Sequence, residues 1–200
     1  MKTIPSAKTA LLVTLAVALL ATAAGPAQAK EKRQPLEKYR ARAMSLDRGR
    51  ASTLDIVIYE WTTPEERQAL IQTFTDGGSK ALVDFLNDQS EKGFVKAPQT
   101  MGYYMNYAWQ IEMEDKRRIV MATDRPLGFL ELSSGSRSTD YNVSLVVLDL
   151  DPETGEGTGA ATGGAELSID KKTGQLTIEI TGTQPTKLTT VKKLEVKKKK

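Results

Sequence analysis

Residues 103–124 read YYMNYAWQIEMEDKRRIVMATD, and the alternation in this stretch decides how the rest of the chain is read. Tyr103, Met105, Tyr107, Trp109, Ile111 and Met113 fall on one face of an extended chain, with Tyr104, Asn106, Ala108, Gln110 and Glu112 on the other. Helical spacing would scatter both sets, so the pattern predicts a half-buried strand. After the charged break Glu114-Asp115-Lys116, a second run places Arg117, Ile119, Met121 and Thr123 opposite Arg118, Val120, Ala122 and Asp124. Two such runs with a short polar link predict a hairpin. Only an odd-length loop brings the two apolar faces to the same side. A loop of residues 114–116 pairs Ile111 with Ile119 and Trp109 with Met121 inside, and Glu112 with Arg118 outside. The loop lacks glycine for a left-handed position, so five residues in the same parity is the alternative.

Working outward, residues 1–29 have the pattern of a signal peptide. Lys2 and Lys8 precede an apolar run over residues 10–24, and Ala27-Gln28-Ala29 supplies small residues for cleavage before Lys30. The run is shorter than the roughly 20 residues of a membrane-spanning helix, and no later stretch is long or apolar enough to span. Export to the periplasm or medium is therefore the expected location, with no transmembrane segment in the mature chain. The chain contains no cysteine, so no disulfide or amino-terminal lipid anchor can form and the core alone must hold the fold. Loss of the leader leaves 26 basic residues against 25 acidic ones, so the mature domain is nearly neutral. The basic excess collects at the end, in Lys192, Lys193 and Lys197, Lys198, Lys199 and Lys200.

Residues 30–53 are rich in charge, including Arg40, Arg42, Arg48 and Arg50, and predict a flexible lead-in. Residues 54–62 alternate with both faces largely apolar, as in a strand covered on both sides. Thr63-Pro64-Glu65-Glu66 then combines a capping threonine, a proline at the first helical position and a glutamate three residues on. Leu70, Ile71 and Phe74 give the helix an apolar stripe that Gly77-Gly78 ends, and Ser79 can cap a second helix facing inward through Leu82, Phe85 and Leu86. This αα-hairpin has no basic recognition helix, since Asp84 and Asp88 offset Lys80, so nucleic acid is not an expected partner.

Residues 125–140 are irregular apart from a short strand near 129–132. Strands resume over 142–150, 157–169, 176–180 and 186–196 as an antiparallel meander. Asp151-Pro-Glu-Thr-Gly155 and Asp170-Lys-Lys-Thr-Gly174 share D-x-x-T-G, in which aspartate caps a type I turn and glycine takes the left-handed position after it. The expected domain spans residues 54–196, followed by a lysine tail at 197–200. Its fold class is α+β: a largely antiparallel, twisted β-sheet, open or closing toward a barrel, with the αα-hairpin packed on one face.

No motif specifies an activity. Absence of histidine and cysteine removes the usual zinc sites, cysteine nucleophiles and serine–histidine catalysis. Asp149, Asp151, Glu153 and Glu156 miss the calcium-loop pattern, because Thr154 and Ala160 occupy its glycine and glutamate positions. The glycines at 155, 157 and 159 do not join a strand to a helix as a nucleotide site requires. No catalytic residue, metal or cofactor is therefore assigned.

The candidate ligand-binding residues are Tyr104, Tyr107 and Trp109, whose aromatic faces suit an apolar ligand, with Arg125, Arg137 and Asp140 on the irregular connection beside them. Lys192, Lys193 and Lys197 to Lys200 are the candidates for contact with an anionic surface. The expected partner is a small apolar ligand or an envelope component. A binding or interaction module of the periplasm is favoured over an envelope-associated structural protein using its basic tail, and over an enzyme built on paired carboxylates.

The run Arg118-Ile-Val-Met-Ala-Thr-Asp-Arg-Pro126, the helix start Thr63-Pro-Glu-Glu-Arg67, Gly77-Gly78 with Ala81-Leu82, and Gln184-Pro-Thr-Lys-Leu-Thr-Thr-Val191 resemble a family of exported bacterial proteins with no assigned activity. The resemblance covers most of residues 54–191. It implies export and a single α+β domain, and it brings no catalytic residue or ligand.

Overall fold

Alternation of small or apolar side chains with charged ones builds a curled antiparallel sheet in the computed structural model, which describes residues 33–44, 51–125, 127, 143–163, 165–169, 176–180 and 185–196. These belong to one compact unit spanning Arg33–Lys200. The elements run β1 (Glu37–Met44), β2 (Ala51–Ile58), α1 (Pro64–Asp88), β3 (Gly93–Lys96), β4 (Tyr103–Met105), β5 (Tyr107–Glu112) and β6 (Arg117–Thr123). They continue as β7 (Ser144–Leu150), β8 (Gly157–Thr162), β9 (Ala165–Ile169), β10 (Leu176–Ile180) and β11 (Thr186–Leu194).

Nine strands form one sheet in the order β4-β3-β2-β1-β11-β8-β7-β6-β5, and every neighbouring pair is antiparallel. Its two outermost strands, β4 and β5, are consecutive in the chain and separated only by Asn106, so the sheet curls round nearly into a barrel. Strands β9 and β10 pair with each other in a separate two-stranded sheet between β8 and β11.

The interior is filled by side chains, including Tyr39, Leu54, Ile56, Met105, Ile119, Met121 and Leu148, all at most 1% exposed. A barrel of about eight staves is just wide enough for its own side chains. On the outer wall Leu70, Phe74, Leu82 and Leu86 of α1 pack over Ala122, Val143 and Leu145, with Tyr107 at the margin. The Thr63 hydroxyl accepts the Glu66 amide at 3.2 Å while the Glu66 carboxylate accepts the Thr63 amide at 2.8 Å, completing the capping box expected from sequence.

Four expectations need correction. The flexible lead-in contains β1, paired on both sides by β2 and β11, with Tyr39, Ala41 and Ala43 buried. The αα-hairpin is instead one helical element, Pro64–Asp88, in which only Gly78 leaves helical geometry, at φ 66°. Gly78 kinks the element there, in a positive-φ conformation open to glycine, and two helical stretches meet at it without a separate connecting turn.

The parity of residues 103–113 also changes midway. Met105 and Ala108 are both fully buried in the interior cluster, yet three residues apart, so the alternation slips once between them. Asn106 makes the slip: its amide donates to the Ala122 carbonyl at 2.9 Å, its side-chain nitrogen to the Gln89 carbonyl at 3.2 Å, and its side-chain oxygen accepts from the Thr123 hydroxyl at 3.2 Å. Tyr107 and Trp109 are consequently on the outer wall, and Ile111 and Met113 are each 37% exposed. The hairpin loop is the even stretch 113–116, which pairs Ala108 with Met121, Trp109 with Val120 and Ile111 with Arg118. Finally, the expected strand 157–169 is split into β8 and β9, and β8 pairs with β11.

The Asp151 turn forms as its motif predicts. The Asp151 carboxylate accepts the Glu153 and Thr154 amides at 3.0 and 2.8 Å, and Gly155 has φ 68°. The Asp170 turn and the strand near 129–132 lie outside the described residues, although β9 and β10 pair as a hairpin around the former.

The slip at Asn106 predicts an uneven cost of truncation. Met121→Ala lowers the urea-denaturation free energy by ~2–5 kcal/mol, whereas Ile111→Ala lowers it by less than ~1 kcal/mol. The reverse ranking would return Ile111 to the interior.

Candidate functional site

The sequence alternates along β1: Tyr39, Ala41 and Ala43 turn inward, and Lys38, Arg40 and Arg42 turn out. Strand register extends this comb sideways. Arg40 lies between Asp55 on β2 and Lys192 on β11, and Arg42 between Thr53 and Thr190. Arg40, Arg42, Ser52, Thr53, Thr190 and Lys192 line an open depression of about 560 Å³ on the outer surface. The size matches ligand pockets in general.

A bulge shapes this depression. The β1–β11 register shifts at Arg42/Ala43, where Thr190 faces Arg42 and Leu188 faces Ala43, leaving Thr189 extra. Bulges add twist and redirect neighbouring side chains. The Arg40 guanidinium donates to Asp55 at 2.7 Å, and Lys192 lies 3.6 Å from Glu156, both pairs exposed and of little stabilising value. Arg42 forms no ion pair with a described residue. Arg40 and Lys192, like charges directly opposite on adjacent strands, oppose folding. A local conflict of this kind is what functional surfaces tend to retain.

The other polar clusters are internally satisfied. At one barrel mouth Arg117 donates to Glu37 at 3.0 Å, to Tyr39 at 3.4 Å and to Gln110, and lies 5.4 Å from the Trp61 ring centre. Glu37 also accepts from Tyr39 at 2.7 Å and Lys193 at 3.2 Å. Burial disfavours the charged Glu37, but these hydrogen bonds outweigh it and hold its pKa below the ordinary value. Burial, then the Glu37 charge, raises the Tyr39 phenol.

At the helix start, the almost completely buried Lys92 donates to Glu60 at 2.5 Å and to Glu66 at 2.9 Å. Burial opposes its charge, and the two carboxylates overcome that opposition and raise its pKa. Glu66 responds in kind: burial is outweighed by Lys92 and the Thr63 amide, and its pKa is lowered.

The sequence candidates do not converge on one site. Tyr104 is 41% exposed on β4 and packs against Phe94 with ring centres 5.0 Å apart and planes tilted by 53°. Tyr107 borders the helix interface, where burial raises its phenol to about 12 against the opposing Arg67. Trp109 has the Arg67 guanidinium 5.3 Å from its ring centre. Tyr107 and Trp109 therefore meet at Arg67, while Arg125 is exposed beyond β6. Arg137, Asp140 and Lys197 to Lys200 lie outside the described residues. Lys192 and Lys193 separate, one to the outer depression and the other to Glu37. Charge density places Arg40 and Arg42 in a solvated lead-in rather than a site; the period-two run from Lys38 to Ala43 is the signal that puts them on a strand.

No described helix is long and apolar enough to cross a membrane. No protein-family model, curated protein or solved structure matches the chain.

The Lys92 cluster predicts an asymmetry. Removing both acids strands a buried cation, whereas removing the cation leaves carboxylates 56% and 30% exposed that can rehydrate. Glu60→Gln with Glu66→Gln therefore costs ~3–5 kcal/mol at neutral pH, and Lys92→Met costs less in the same denaturation assay. A carboxylate pKa lowered by folding contributes stability above its unfolded value that is lost as pH falls. Stability measured from neutral pH downward thus declines below the ordinary glutamate value of 4.5 as Glu37 and Glu66 protonate. Lys92→Met makes this decline shallower, and an unchanged profile would remove the Lys92–Glu66 coupling.

Proposed function

We propose that this chain is an exported, non-catalytic binding module of the bacterial periplasm, and that it engages a negatively charged envelope component through the outward face of β1 and its neighbours. The observation that carries the reading is the depression in which Arg40, Arg42 and Lys192 stand together among hydroxyl side chains. Export is supported by the leader pattern of residues 1–29 and by the resemblance to exported bacterial proteins.

The side-chain-filled interior favours an exterior site over a small apolar ligand held inside. The aromatic pair proposed to line such a cavity, Tyr107 and Trp109, is on the opposite side of the wall. A non-catalytic role is supported by the state of the clustered carboxylates. Glu37 and Glu66 are hydrogen-bonded to cations with lowered pKa values, the reverse of the raised pKa that suits a general acid near neutrality.

The test is retention of the exported protein in the envelope fraction after osmotic shock. Retention falls with added salt, and Arg42→Glu with Lys192→Glu moves the protein to the soluble fraction, while deletion of Lys197 to Lys200 leaves it retained. Equal retention of the charge-reversed protein rejects the face. Release by the tail deletion alone favours the structural, tail-dependent reading.

A further inference from the structure

We infer that the ligand of this face is an acidic polysaccharide, lying extended along β1 with successive negative groups against Lys38, Arg40 and Arg42. The inference rests on the binding role just proposed and specifies its ligand. Alternate residues of a strand repeat every ~6.7 Å on one face, so these three side chains form a linear ladder of positive charge. Lys192 widens the ladder at its centre, being the direct cross-strand neighbour of Arg40. A ladder of fixed spacing matches a polymer with a charge in each repeat better than a single small anion, which would engage one rung.

Three features separate a polysaccharide from other polyanions. Ser52, Thr53 and Thr190 line the depression and both donate to and accept from sugar hydroxyls. Asp55, at the margin beside Arg40, uses only Oδ1 for that partner, which leaves Oδ2 to accept from a hydroxyl group. A ligand carrying only phosphate oxygens has no use for a carboxylate there. Among the described residues no aromatic side chain lines the depression, so nucleobases would find no stacking platform there.

Calorimetric titration of the purified protein tests this with four probes: polygalacturonate, monomeric galacturonate, inorganic phosphate and vesicles containing phosphatidylglycerol. Polygalacturonate binds at least about tenfold more tightly than the monomer because its rungs bind together, and its affinity falls with salt. Arg42→Ala with Lys192→Ala weakens it by about tenfold or more. Lys80→Ala, on the exposed face of α1, does not. Both cations are exposed, and Lys192 faces Arg40, so the double variant melts no lower than the parent. Monomer or phosphate binding as tightly as polymer, or vesicles binding more tightly, overturns the polysaccharide while leaving an anion-binding face. Absence of binding to all four, or undiminished binding by the double variant, overturns both.

Discussion

The structure depends on one strand serving two partners. Residues 103–105 pair with β3 and residues 107–112 with β6, and the residue between them closes the curl of the sheet. Asn106 can do this because its amide, side-chain nitrogen and side-chain oxygen each find a partner at the junction: the Ala122 carbonyl, the Gln89 carbonyl and the Thr123 hydroxyl. An apolar residue there would take the side-chain donor from the part-buried Gln89 carbonyl and leave the Thr123 hydroxyl with Asp124 as its acceptor. The inserted residue also reverses which side chains face inward. Small Ala108 then enters a crowded interior, and bulky Tyr107 and Trp109 remain outside where α1 and Arg67 cover them.

With the interior filled by side chains, the outer wall carries the remaining surface chemistry. The helix takes the wall made by β6 and β7, held at its start by Lys92 and by Thr62, whose amide donates to the Ala108 carbonyl at 2.7 Å and whose hydroxyl accepts the Ala108 amide at 2.9 Å. The wall made by β11, β1 and β2 presents cations instead. The near balance of charge over residues 30–200 therefore hides a local imbalance created by strand register, which aligns Arg40 with Lys192. Long-range steering by such a patch acts over about a Debye length, so salt weakens it.

Local chemistry was legible in the sequence where one short segment decides it. The Thr63 capping box, the Asp151 turn and the existence of the β5–β6 hairpin, though not its register, each follow from residues within a few positions of one another. Failures arose where distant partners decide. Trp109 and Ile111 look like core residues by alternation, but alternation cannot register a one-residue slip when both faces carry bulky side chains. The charge of β1 suggested solvation, yet its cations occupy only the outer face and its inner face is Tyr39, Ala41 and Ala43. Lys92 gave no local warning, because its carboxylates come from residues 32 and 26 positions away. Gly77-Gly78 predicted a helix-ending turn, and the helical geometry does break at Gly78, but helix resumes directly after this kink with no separate connecting turn. The depression itself exists only once β2 and β11 are laid against β1, which no single-segment pattern encodes.

Cross-strand backbone NOEs across β5–β6 and β1–β11 test this arrangement most directly. The account predicts Ala108 opposite Met121 and Arg40 opposite Lys192. Contacts pairing Trp109 with Met121, or the absence of any partner for residues 37–44, would contradict it.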